Sequence, residues 1–163
     1  MSRRSRAAGF TLPEIIAVMV IATVLIAVAA PRFLGSTFDS PRLHHDTVAA
    51  LRYGQSTALA MQRTVCATFT ATSVTLTYDN SAWSPTISTT CNTNLQGPSG
   101  SAAPYTVTAQ GSATFSSPPA SLKFDRLGRP YNNAGVLLSS AQTITVTGYA
   151  PTVTVEAESG YVH

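Results

Sequence analysis

The sequence has 163 residues, of which 44% are hydrophobic and only 10% charged, and its formal net charge is +3. This excess comes from Arg3, Arg4 and Arg6, because residues 10–163 contain seven basic and seven acidic side chains. A body without net charge has no general attraction for phosphate, so the composition argues against a nucleic-acid-binding class. The length suffices for one domain and an additional segment.

The first predicted element is an apolar helix within residues 10–34. Residues 10–30 would form about 31 Å of helix, which is long enough to cross the hydrocarbon layer of a membrane. The arginine-rich residues before it are typical of a flank that stays in the cytoplasm. Pro31 interrupts the apolar pattern.

The second predicted element is an amphipathic helix over residues 41–63, which follows a joint rich in Gly, Ser, Asp and Pro. Asp39 or Ser40 is expected to cap it, with Pro41 in its first turn. We expect the helix to pack against a folded core. Its apolar stripe consists of Val48, Leu51, Gly54 or Gln55, Ala58 and Met61.

From residue 65 the hydrophobic period changes to two, which predicts β-strands. Residues 79–81 read as a turn, and further strands are expected within 105–116, 121–127, 136–140 and 142–163. The predicted fold class is therefore α+β, with the amphipathic helix packed on a C-terminal antiparallel sheet.

The two cysteines, Cys66 and Cys91, have two interpretations. In an exported domain an even pair suggests a disulfide. The alternative is two unrelated buried thiols. We favour the disulfide because the N-terminal pattern predicts export.

The N-terminal pattern itself also has two interpretations. An ordinary signal peptide could be cleaved near Ala27–Ala29, which would release a soluble β-rich binding protein. That interpretation leaves Glu14 unexplained, since an acid within an apolar segment is costly and usually has a partner. A cut after Gly9 would instead give Phe10 a free amine, and a neighbouring subunit's Phe10 amine could then pair with Glu14.

Residues 9–33, "GFTLPEIIAVMVIATVLIAVAAPRF", resemble the N-terminus of type IV pilins and type II secretion pseudopilins. The match is carried by Gly9, Phe10, Thr11, Leu12 and Glu14. Pro31 corresponds to a proline at which the helix of this family loosens within filaments. Pro13 departs from the family's usual aliphatic residue, but a proline is tolerated in a first turn.

The resemblance implies a structural subunit and neither an enzyme nor a cofactor-binding protein. Residues 1–9 would be a leader that a prepilin peptidase removes between Gly9 and Phe10, followed by N-methylation of Phe10. Residues 10–34 would form the transmembrane and assembly helix, and residues 35–163 a periplasmic or extracellular pilin domain. The subunit would sit in the bacterial inner membrane and join other pilin subunits through an assembly platform.

The body of the chain is similar to H-type minor pseudopilins and related minor pilins, including those of mannose-sensitive haemagglutinin-type pili. Part of this similarity lies in the segment "LKFDRLGRPYNNAG", where the matching residues are Leu122, Phe124, Asp125, Gly128 and Pro130. This similarity implies a minor subunit of a surface pilus or a secretion pseudopilus.

Two further binding sites are weighed against simpler interpretations. Lys123, Arg126 and Arg129 could contact DNA, as in minor pilins for DNA uptake, but three cations beside an acid make a weak footprint. His44 and His45 suggest a metal site, but adjacent helical residues point about 100° apart, so a solvated helix start is favoured. No nucleophile-elbow or phosphate-loop pattern is present.

Overall fold

The computed structural model describes residues 11–33, 38–81, 87–88, 90–100 and 103–163, with side chains described as far as residue 27 in the first range. The chain divides into two compact units, Met1–Gly35 and Ser36–His163. The first unit contains helix α1, Leu12–Phe33. The second contains helix α2, Asp39–Met61, and the strands.

The described strands all follow α2 in the sequence. They are β1 Val65–Phe69, β2 Ser73–Tyr78, β3 Thr93–Asn94, β4 Thr106–Thr108, β5 Phe115–Ser116, β6 Ser121–Phe124, β7 Pro130–Tyr131, β8 Gln142–Val146 and β9 Thr152–Val155. All the pairings between them are antiparallel. The predicted α+β class is confirmed.

The strands form two sheets, whereas the sequence predicted one. The larger sheet has the order β3-β2-β1-β6-β7, with β4 also pairing with β2, and the smaller has the order β5-β8-β9. The predicted strand over 105–116 is split, because the backbone turns at Gly111, where φ is +57°. Its first part pairs Val107 with Val74, and its second pairs Phe115 with Val146 in the other sheet.

Helix α2 packs against both sheets, contacting β1, β2, β4 and β6 of the larger one and β8 and β9 of the smaller one. Leu51 and Ala58 of the predicted stripe are fully buried, and Gly54 is buried as well, whereas Met61 is 38% exposed. The stripe therefore identifies the packed face of the helix except in its last turn.

The start of α2 differs from the prediction. The helix begins at Asp39, after Phe38 at the N-cap, which has no polar side chain to serve as a cap. Asp39 is thus inside the helix, and Ser40 uses its hydroxyl to donate to the Thr147 carbonyl, 3.0 Å away, in the connection between β8 and β9. A tertiary contact has replaced the expected local cap.

The strand predicted over 136–140 is also wrong. These residues leave a turn in which the Val136 amide donates to Oδ1 of Asn132, while the Val136 carbonyl accepts from the Asn132 amide. Only an isolated bridge joins Leu137 to Tyr131. Val136 is 59% exposed and Leu137 36%, so burial on one face of a sheet does not stabilise the segment as a strand.

Candidate functional site

The candidate site begins at the first turn of α1. The backbone amide of Thr11 lies 3.4 Å from Oε2 of Glu14, a long hydrogen bond, while the amides of Glu14 and Ile15 donate to the Thr11 carbonyl. This is the acid's half of a capping box, in which a carboxylate at the third helical position accepts from the N–H of the N-cap residue. The Thr-x-x-Glu spacing was visible in the sequence, but Glu14 was interpreted there only as an intersubunit partner.

Pro13 is the second residue of α1, within the first turn as expected. The amide that it lacks would have had no intrahelical partner at this position. The departure from the resembled pattern therefore costs the helix no hydrogen bond.

Between residues 15 and 27 the surface of α1 is apolar on every side. Between residues 11 and 27, Glu14 is the one ionisable side chain. Leu12 is 74% exposed, and the large aliphatic side chains that follow are all about half exposed or more. A helix that is apolar all round is stable only when lipid or other helices cover it.

The N-terminal segment is also the part of the chain that matches a known family model. Residues 4–30 match the family model for the prokaryotic N-terminal methylation motif. The chain carries a type IV pilin-like prepilin motif. The proteins of this motif family are structural, are processed by prepilin peptidase and assemble with other pilin subunits. Searches of curated proteins and of solved structures gave no significant match.

Three predicted positions of the prepilin motif are not tested by the geometry. Gly9 and Phe10, the predicted cleavage and methylation positions, lie outside the described residues. Helix α1 continues past Pro31 as far as Phe33, and the loosening that the resemblance implies at Pro31 concerns an assembled filament.

No helix within the described part of the chain has both the length and the apolar character needed to span a membrane. The transmembrane segment over 10–34 thus stays a prediction.

Cys66 and Cys91 are joined by a disulfide, with their Cα atoms 6.1 Å apart. Cys66 lies in β1 at the centre of the larger sheet, and Cys91 lies two residues before β3 at the sheet's edge. The bond therefore attaches the long connection between β2 and β3 to the core. Trp83, the aromatic residue of that connection, lies outside the described residues.

The segment resembling minor pseudopilins forms a tight turn between β6 and β7. Asp125, only 7% exposed, accepts hydrogen bonds at Oδ1 from the amides of Leu127 and Arg129, at 2.8 and 2.9 Å. Gly128 has a φ of +75°, which favours glycine. Phe124 and Pro130 are paired on either side of the turn. Phe124, Asp125, Gly128 and Pro130 thus build or flank this turn, whereas Leu122 is a buried core residue of β6.

The three cations predicted as a weak DNA footprint do not form a common exposed surface. Lys123 is 2% exposed, and its Nζ donates to the Asn133 carbonyl at 2.7 Å. This burial lowers the pKa of Lys123. Arg129 pairs with Asp125 at 2.7 Å, and this contact raises the pKa of Arg129. DNA contact by Lys123, Arg126 and Arg129 stays an untested prediction that this geometry does not favour.

The sequence favoured a solvated position for His44 at the helix start, and this prediction is wrong. It is 8% exposed, and its ring packs edge-on against Tyr149 and His45, with centroid distances of 5.2 and 5.1 Å. Neither ring nitrogen has a hydrogen-bond partner among the described residues. No cluster of three or more metal-ligating side chains occurs in the described part of the chain.

Proposed function

We propose that the chain is a minor pilin or pseudopilin that enters a type IV pilus or a type II secretion pseudopilus through α1. The observation that carries the proposal is the match of residues 4–30 to the N-terminal methylation motif. The exposed apolar surface of α1 supports it, because such a surface requires lipid before assembly and neighbouring helices afterwards. The H-type branch rests on the resemblance carried by the turn at Asp125.

In the proposed pathway, prepilin peptidase cuts between Gly9 and Phe10 and methylates the new amine. The mature subunit waits as a single-pass protein of the inner membrane, with the unit Ser36–His163 on the periplasmic side. An assembly platform then transfers it into the filament. Glu14 supplies a carboxylate close to the new N-terminus, where it can pair with the amine of a neighbouring subunit.

Processing can be tested by expressing the full chain together with a prepilin peptidase and sequencing the N-terminus of the membrane-extracted product by mass spectrometry. We expect mature protein that begins at N-methylated Phe10. The control is the same peptidase with its catalytic aspartates replaced, which should leave residues 1–9 attached. A soluble product that begins near Ala30, independent of the peptidase, would instead establish the secreted binding protein.

The role of Glu14 in assembly requires two variants, because this residue also belongs to the capping box. Glu14→Gln retains an oxygen that can accept from Thr11 but has no charge, whereas Glu14→Ala removes both. If charge pairing drives assembly, both variants are cleaved after Gly9, and both fail to co-purify with partner subunits. Normal co-purification of Glu14→Gln would show that capping suffices and would reject the pairing.

A further inference from the structure

The start of α2 contacts the β8–β9 connection, residues 147–151. One of the contacting residues is His44, whose ring nitrogens have no hydrogen-bond partner among the described residues. Ser40 donates to the Thr147 carbonyl, and the His44 ring, one turn further along the helix, packs against Tyr149. The first of these contacts is an ordinary hydrogen bond. The second holds because a neutral imidazole can be buried among rings, although its two nitrogens are left without partners.

Among the described residues no carboxylate faces His44, and the backbone of Thr152, which favours the protonated ring, is outweighed by burial. The ionisable groups that face it are His45 on its own helix and Tyr149 from the β8–β9 connection. The Arg42–Asp46 pair is turned to solvent, with side chains 67% and 49% exposed, and its carboxylate is already matched by its own cation. A proton on His44 would therefore be buried without a carboxylate to pair with it.

We propose that His44 makes the junction between the first turns of α2 and residues 147–152 sensitive to acid. When its ring is neutral, the junction is closed. When the ring is protonated, the charge is accommodated by moving the helix start away from Tyr149 so that water reaches the ring. The affected segment, residues 39–47, directly follows the joint that leads from α1.

The direction of the pH effect follows from the balance of proton binding. Burial lowers the pKa of His44 below its ordinary value of 6.5, and His45 acts in the same sense; the backbone of Thr152 opposes them but is outweighed. The open form, with the ordinary pKa, binds the proton more readily than the closed form. The junction is thus most stable above pH 6.5 and weakens as the pH falls from 6.5 toward the lowered pKa. Its opening constant rises by up to about tenfold per pH unit in that window.

The test uses the full chain in detergent micelles, with the ring carbons of its three histidines labelled for NMR. Single substitutions of His44, His45 and His163 assign the signals. We expect the His44 signal of the unaltered chain to titrate below pH 6.5. Over the same range, amide hydrogen exchange in residues 39–47 and 147–152 should rise, after correction for the intrinsic pH dependence of exchange.

The variant that isolates the proposal is His44→Phe, which keeps a ring against Tyr149 but cannot be protonated. We expect its exchange in both segments to be independent of pH between 7.5 and 5, while the matched control His45→Gln still responds to acid. A His44 signal that titrates at or above pH 6.5 would overturn the proposal without any variant. An unchanged acid response in His44→Phe would overturn it as well.

Discussion

Gln55 in α2 and Gly128 in the β6–β7 turn are joined by a hydrogen bond of 3.1 Å from the side-chain amide to the backbone carbonyl. The same Nε2 donates to the Ser159 carbonyl at 2.9 Å. One amide group therefore connects the helix to the turn that resembles minor pseudopilins and to the turn that follows β9.

Gln55→Ala should lower the free energy of unfolding by about 1–2 kcal/mol, because it removes the donor shared by two carbonyls, one of them in the buried Gly128. Urea unfolding of the full chain in micelles measures the change. The control is Ser56→Ala on the exposed side of the same helix, where the expected change is within about 0.5 kcal/mol. Equal effects of the two substitutions would show that the connection by Gln55 does not contribute to stability.

Gly160→Ala should be far more damaging than Gly148→Ala, although both glycines have positive φ, at +69° and +76°. A Cβ at Gly148 meets open space, so that substitution costs only the left-handed backbone, about 1–2 kcal/mol. A Cβ at Gly160 would overlap the carbonyl of Gly128, and that backbone would have to move.

Comparing the two alanine variants by thermal unfolding separates the steric overlap from the backbone cost that they share. We expect Gly160→Ala to have the lower Tm by a clear margin. If the two variants melt at the same temperature, the close approach of Gly160 to Gly128 is not a constraint on the fold.

Gly54→Ala should stabilise the protein by about 0.5–1 kcal/mol. Alanine has the higher helix propensity, and its methyl group would lie in ordinary contact, 3.5 Å from Val65 and 3.6 Å from Leu76. Gly54→Leu should destabilise it by about 1–3 kcal/mol, because the larger side chain does not fit between the helix and the sheet. Denaturant unfolding of both variants checks the two opposite signs, and destabilisation by alanine would show that the helix needs a closer approach.

Removing the disulfide by replacing Cys66 and Cys91 together with alanine should cost about 2–4 kcal/mol, since the bond restricts the unfolded chain. Reduction of the unaltered protein should produce a similar loss, which controls for the effect of the alanines on packing. A mass increase of two hydrogens on reduction counts the bonds directly. If reduction leaves stability unchanged, the connection to β3 is held by other contacts.

The packed face of α2 could be predicted because the spacing of Leu51 and Ala58 follows directly from the geometry of a helix. The start of the helix could not, because Ser40 exchanges a local cap for a contact with Thr147, which is 107 residues away. The division of 105–116 between two sheets depends on pairings with Val74 and Val146, and local alternation carries no information about them.

The candidate site was predictable to different degrees along the chain. The N-terminal motif is local, so Glu14 was identified from sequence, although its bond to Thr11 was missed. The burial of Lys123 could not be predicted from the sequence, because a lysine is ordinarily a surface residue. It is buried here because β6 is covered on both faces. The resemblance identified Asp125 as a matching residue. Its structural role, to accept hydrogen bonds from the backbone amides of the β6–β7 turn, is visible only in the structure.

The position of α2 beneath both sheets has a consequence for how the unit Ser36–His163 responds to load. Because α2 contacts both sheets, movement of the helix away from one sheet also disturbs its contacts with the other. In chain order, tension applied at the N-terminal end of the unit reaches α2 before any strand. The two sheets should therefore yield together, as one cooperative mechanical element, and not peel away in succession.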